Sequence, residues 1–296
     1  MGSELLSLLW APFLMCLVLT GIHAYLGIHV LAREVVFVDI ALAQIAALGA
    51  TAAFLFEFTL ESPVSYASGL GATLVGAIVL ALTRSRERHV SHEAVIGVVY
   101  AVSAAATVLL MANAPHGAEH LRSMLVGNII TVSGREVGKV AVLYGTIGVL
   151  HWLCRRPFFL ISTDPERAFR EGWRVRLWDF LFYASFGLVV TSSVRIAGVL
   201  LVFAYLIVPA LAGTALGASI GSRLFIGWAF GTLVSVLGIA ASATLDLPTG
   251  ATVVCVFGLI LLLGWGLFTA TRLASRQVAR AGRGVPRSGG AEGTHR

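Results

Sequence analysis

Between Phe180 and Leu216 the chain reads FLFYASFGLVVTSSVRIAGVLLVFAYLIVPALAGTAL, with Arg195 its one charged residue. About 20 apolar residues suffice to cross about 30 Å of hydrocarbon at 1.5 Å per residue, so this stretch is too long for one ordinary crossing. Ser192, Ser193 and Arg195 near its middle predict a turn that splits it into two. Apolar blocks recur on both sides of it. Across the chain 57% of residues are hydrophobic and 12% charged, against roughly 25% charged in a soluble domain. No water-soluble surface can be made from that composition, which excludes a soluble enzyme. A lone span in lipid must satisfy its own backbone hydrogen bonds, so the blocks are helices. The fold class expected is all-α, a polytopic transmembrane helical bundle.

Nine spans are predicted, near Leu5–Ile28, Val35–Phe56, Val64–Leu82, Ala94–Ala112, Val137–Leu153, Asp179–Val194, Ala197–Leu216, Leu224–Ala243 and Thr249–Leu273. The count becomes eight if two of the shorter ones fail to cross. Residues 1–275 then form one membrane domain, and residues 276–296 a disordered, basic cytoplasmic tail. The first block lacks a preceding basic residue and a clear small-residue cleavage pattern, so it reads as a retained span. Cys16, Cys154 and Cys255 are widely spaced in or beside apolar runs and suggest neither disulfides nor a zinc site.

Odd numbering places all of the 21 basic residues except Arg122, Arg135, Lys139 and Arg195 on one side, together with the C-terminus. By the positive-inside rule that side is cytoplasmic and the N-terminus points outward. The expected location is a bacterial inner membrane. The arginines flank spans and no aromatic-interleaved basic domain occurs, so the net charge of +6 does not indicate nucleic-acid binding.

Polar residues inside spans are costly and belong on the bundle interior or a hydrated path. Asp39 and Gln44 lie in the second span, five residues apart and hence about 140° apart in direction round a helix. Each is a candidate for lining a translocation path. Asp39 could instead sit at the interface near Arg33, and Gln44 could hydrogen-bond a neighbouring helix. Small residues such as Ala46, Gly49, Gly69 and Gly76 allow close helix contact with or without a path. Residues 115–138 are either an external loop or a re-entrant helix, with an amphipathic piece at Glu119–Val126. His116 and His120, four apart, could capture a transition metal near the outer surface, with Asp39 a further metal candidate. They could equally be ordinary loop polarity.

The fifth connection carries a short capped helix. Thr163 or Asp164 can cap it, Pro165 suits its first turn, and Gly172 ends it. Such a helix suits a partner that transmits a push, although a plain amphipathic loop helix reads the same way. The chain has no G-x-x-x-x-G-K-[S/T] loop, HExxH or GxSxG motif, so energy for any active transport must come from elsewhere.

Taken together, residues 8–270 resemble the membrane permeases of the zinc/manganese/iron class of ATP-binding-cassette importers. Val38–Gly49 resembles the family's Gly-Asp-Ala-Leu-Ser-His-Ala-x-x-x-Gly segment. Asp164-Pro165-Glu166-x-Ala168-x-x-x-Gly172 is similar to its cytoplasmic coupling segment. Val194-Arg195-x-x-Gly198-x-Leu200-Leu201-Val202, leading to Leu206-Ile207-Val208-Pro209-Ala210, is similar to its Arg/Lys-x-x-Gly-x-Leu-Leu-x…Leu-Ile-x-Pro-Ala stretch. Asp246-Leu247-Pro248-x-Gly250 resembles its last external turn.

The resemblance implies a permease for divalent metal, zinc or manganese, that catalyses no covalent step and binds no cofactor of its own, ATP being used by a partner. It further implies a second permease copy or homologue, a cytoplasmic ABC ATPase dimer docked on Asp164–Gly172, and an extracytoplasmic metal-binding protein. Aligned through Gly49, the family's pathway aspartate and histidine fall on Ile40 and Gln44, and Asp39 replaces the preceding glycine. Imidazole suits zinc better than an amide does. A permease for another substrate such as a metal chelate, and a non-transport membrane scaffold, are the alternatives.

Overall fold

The computed structural model describes residues 2–59, 62–83, 91–112 and 117–281, with 2–8, 120 and 267–281 described by backbone alone. Among them the chain forms eleven α-helices and one 3-10 turn: α1 (Gly2–Ala32), α2 (Val38–Phe54), α3 (Pro63–Thr83), α4 (His92–Met111), α5 (Gly117–Val126), the turn Ile129–Thr131, α6 (Gly134–Leu153), α7 (Arg155–Thr163), α8 (Pro165–Arg170), α9 (Val175–Leu216), α10 (Ile220–Leu245) and α11 (Thr249–Ala281). Contacts define a bundle over Met1–Val256 and a second unit from Phe257, whose described part is the remainder of α11.

Local chemistry sets the helix ends. Ser91 caps α4 at the Ala94 amide. Ser133 with Glu136, and Ser219 with Ser222, form reciprocal capping boxes on α6 and α10, each satisfying amides that a first turn leaves open. α1 passes into α2 through a tight turn in which Glu34 adopts a left-handed φ of 57°.

The bundle is inside-out by soluble standards. Val98, Val102, Leu109, Val142 and Phe225 are each more than 60% exposed, an exterior that hydrocarbon suits and water does not. Small residues bring α2 and α3 together: the Ser68 hydroxyl donates to the Gly49 carbonyl at 2.6 Å, and a Cβ on Gly49 would lie 2.6 Å from the Ala72 methyl. Loss of either small residue would force the backbones apart.

Among the described residues six helices are long and apolar enough to cross a membrane, and α6 with α7, bent by 76°, makes a seventh when the pair is taken as one span. This is fewer than the eight or nine expected from sequence. α2 has only 17 residues, and Val175–Leu216 is a single 42-residue helix with no loop, broken at Gly198 (φ 77°, ψ 159°) and not at Ser192–Arg195. The break is nevertheless a reversal. Before it, Phe182 packs on His29 and Ser193 reaches His23, so the chain rises along α1. A straight helix would carry Leu206 about 20 Å further, yet Leu206 and Ala210 lie back against Gly27.

Candidate functional site

The two polar residues of α2 occupy different environments, as their spacing predicted. Asp39 is 1% exposed, and its Oδ1 has no hydrogen-bond partner among the described residues. It precedes Leu42 by three residues and Ala46 by seven, both of which pack on α3 at Gly76 and Gly69. Gln44 is half-buried and shares a partly open stripe with Ile40 and Leu48. Neither Asp39 nor Gln44 lines the cavity described next.

That cavity, about 510 Å³, lies between α2, α3, α5 and the middle of α9. Its apolar wall is alanine from α2, and its polar groups include Ser65 and Tyr66 of α3, Asn128 after α5, and Thr191 and Arg195 of α9. The Arg195 guanidinium carbon stands 4.9 Å from the Tyr66 ring centre, a cation–π arrangement. The cavity is shaped by one close approach. Gly127, with φ 66°, ends α5 against the break in α9, where a Cβ on Gly198 would lie 2.5 Å from the Val126 carbonyl carbon. The Asn128 amide then donates to the Ile196 carbonyl at 3.1 Å. Sequence reading used Arg195 to predict a turn and as part of a resemblance motif but not as a cavity residue, and it overlooked Tyr66. The clue was a Thr-Ser-Ser-x-Arg cluster in the centre of an apolar block.

At the other end of α1 stands the Asp164–Gly172 segment. Asp164 accepts from the Arg167 amide at 2.9 Å and Pro165 occupies the first turn of α8. Gly172 reverses the chain with φ 79°. Ile161, Ala168 and Val175 form a small buried core, flanked by Leu160, Phe169 and Trp178, that fastens α7, α8 and the start of α9 into one hook. Glu166 is exposed. Glu171 accepts from Arg167 Nε at 2.7 Å and from the Trp173 indole at 3.2 Å, and these bonds, the arginine's first, hold its carboxyl below its ordinary range.

Above the hook lies a polar cluster that sequence reading did not assemble. Arg33 donates from Nη1 to Asp179 Oδ1 at 2.7 Å and from Nε to Ser162 Oγ at 2.9 Å. Its guanidinium carbon rests 3.9 Å from the Phe182 ring centre. His29 meets the same Ser162 hydroxyl at 2.9 Å. Arg33 had been counted as a loop charge and Asp179 as the edge of a span, and their separation of 146 residues leaves no local signal.

The proposed histidine pair is not fully placed. His116 lies outside the described residues, and His120 sits on α5 by backbone alone. Among the described residues no group of three or more His, Cys, Asp or Glu side chains could hold a metal ion.

Helices with a lipid-suited exterior, a mostly apolar cavity carrying Arg195 and a few other polar groups, and a hook at one end define a multi-pass membrane protein. Residues 6–267 match the ABC 3 transport family, and the chain belongs to it; its members are permease subunits, transport components and not ATPases. The chain is 26% identical over 198 residues to the manganese import system permease protein ScaB of Streptococcus parasanguinis, covering 64% of this chain and 70% of that one. It is 30% identical over 136 residues to a probable iron transport system membrane protein of Haemophilus influenzae, covering 46% of this chain and half of that protein. Among solved structures, PsaBC from Streptococcus pneumoniae in complex with Fab shares the fold at a TM-score of 0.73 and 19% identity, over 89% of this chain and 95% of that one.

Proposed function

We propose that this chain is the membrane permease of an ATP-driven importer of divalent metal, with manganese or zinc as cargo. Two copies form the path, a cytoplasmic ATPase pair engages α8, and an external binding protein delivers the metal. The hook end faces the cytoplasm in this reading, in keeping with Arg155, Arg156, Arg167, Arg170, Arg174 and Arg176 around it. The observation that carries the proposal is the hook itself: a capped, glycine-terminated helix packed on its own core and tied to three membrane helices, the build a mechanical contact needs. Asp39 and Gln44 are retained as path residues, and Asp164, Pro165, Glu166, Ala168 and Gly172 as the coupling surface.

A second reading, import of the metal as a chelate, is favoured by one observation. Among the described residues no cluster of three or more ligating side chains exists, whereas the 510 Å³ cavity can house a small complex. Uptake of radiolabelled Mn2+, with and without a chelator of matched affinity, into vesicles carrying the full chain and its ATPase tests both. ATP-dependent uptake of the free ion supports the first reading, and uptake of the complex alone supports the second. No ATP-dependent uptake of either would leave a membrane scaffold as the function.

A further inference from the structure

The Arg33 cluster has no place in the cargo path and no contact with solvent, yet it sits where three mechanical elements meet. Ser162 stands at the end of α7, two residues before the Asp164 cap of the coupling helix. Asp179 lies one turn into α9, and the side chains of both Arg33 and Asp179 are fully buried. Arg33 itself closes α1 by donating its amide to the His29 carbonyl at 3.0 Å, and Val35 returns to Val30 at 3.2 Å. Five residues after Arg33, α2 begins.

We propose that the Arg33–Asp179 pair, gripped by Ser162, is the joint that passes displacement of the coupling segment to α2. This rests on the permease reading and assigns Arg33, Asp179 and Ser162 as positioning residues that touch no cargo. The hook moves as a unit because its own core binds α7 to α8. Its polar attachment to α1 is the Ser162 hydroxyl, which Arg33 and His29 share. Movement of that hydroxyl pulls on the guanidinium of Arg33, whose backbone lies in the turn leading to α2, the helix carrying Asp39 and the Ile40–Gln44 stripe. A second arrangement is chemically available, because Arg33 Nη2 and His29 Nε2 are buried without partners. The unused Arg33 N–H groups and the unused His29 ring nitrogen let the joint exchange bonds without leaving a charge bare, which is what a two-state element requires.

The test uses the full chain reconstituted with its ATPase in proteoliposomes and reads Mn2+ transported per ATP hydrolysed. Arg33→Met alone strands a buried carboxylate and risks misfolding. The informative variants are therefore Ser162→Ala and the paired Arg33→Met/Asp179→Leu, which replaces both charges with apolar groups. Both are expected to keep hydrolysing ATP while transport per ATP falls about tenfold. An unchanged ratio in the two variants overturns the joint, since a purely structural role alters the amount of folded protein and not the stoichiometry. Hydrogen exchange on the permease alone gives a readout independent of transport. Ser162→Ala is expected to raise exchange in residues 33–41 together with 158–172, and a rise confined to 158–172 overturns the proposal. Absence of ATP-dependent uptake in the unmodified protein would instead overturn the permease reading, with the exchange result still deciding the joint.

Discussion

Gly198→Ala is the substitution for which the structure makes the firmest demand. At φ 77° and ψ 159° the residue occupies a region essentially closed to side chains, which costs about 1–3 kcal/mol for a residue with a Cβ. The new methyl would also sit 2.5 Å from the Val126 carbonyl carbon and 2.7 Å from the Leu125 oxygen, so α5 must retreat. The Asn128–Ile196 hydrogen bond that joins them would then be lost, for about 1 kcal/mol more. The expected destabilisation is about 3 kcal/mol, or roughly a hundredfold in the folding equilibrium. Gly138, exposed on α6 with nothing within 4 Å of its would-be Cβ, is the matched control. Alanine there should stabilise by about 0.5–1 kcal/mol through helix propensity. Denaturation midpoints of the two variants in one detergent decide the matter. A Gly198→Ala protein as stable as Gly138→Ala would refute the account of α9 as two antiparallel halves joined at a glycine.

Four further expectations follow from particular side chains. Asp39→Leu removes a buried carboxyl whose Oδ1 has no partner and should raise the denaturation midpoint, by about 1 kcal/mol, while lowering metal uptake; unchanged uptake would remove Asp39 from the path. Gln44→His places an imidazole on the open stripe of α2 and should shift competitive uptake toward zinc over manganese by about tenfold, read from dual-isotope transport. Asp164→Ala deletes the cap on the Arg167 amide and should loosen α8 by about 1 kcal/mol, seen as faster amide exchange over Arg167–Arg170 with the rest of the bundle unaffected. Glu171 has a lowered pKa in the folded hook, so the order it supports is present above its unfolded value and fades as pH falls through the folded one, below the ordinary glutamate range; Trp173 fluorescence should report the change, and Glu171→Gln should abolish it.

Much of the fold was legible because lipid imposes a coarse code. Apolar blocks, their lengths and the cap at Asp164 are local features, and the all-α bundle they predict is present. The split of Val175–Leu216 into two was read from Ser192, Ser193 and Arg195, but its position at Gly198 was not, because that decision is not local. Val175–Leu216 carries no loop residues at its reversal, because a single glycine supported by Gly127 from another helix does what a loop would do elsewhere. Nothing within the block says that Gly198 has such a partner. The hook was readable from Asp164, Pro165 and Gly172 for the same local reason, but its attachment through Ser162, Arg33 and Asp179 joins residues more than a hundred positions apart. The same holds for the cavity, whose polar groups come from three separate helices.

The second span shows what a one-position change does once geometry is known. The family's pathway aspartate and histidine correspond to Ile40 and Gln44, and the structure places those two positions with Leu48 on the one partly open stripe of α2. Asp39, one residue earlier and about 100° away, is buried. The carboxylate has therefore not been lost from the helix but stands one position off that stripe. Cargo meeting the stripe finds an isoleucine and an amide oxygen. Manganese, which accepts carbonyl and water ligands, loses less by that exchange than zinc, which favours imidazole and thiolate. Under the proposed permease reading, the stripe therefore favours manganese over zinc as free ion.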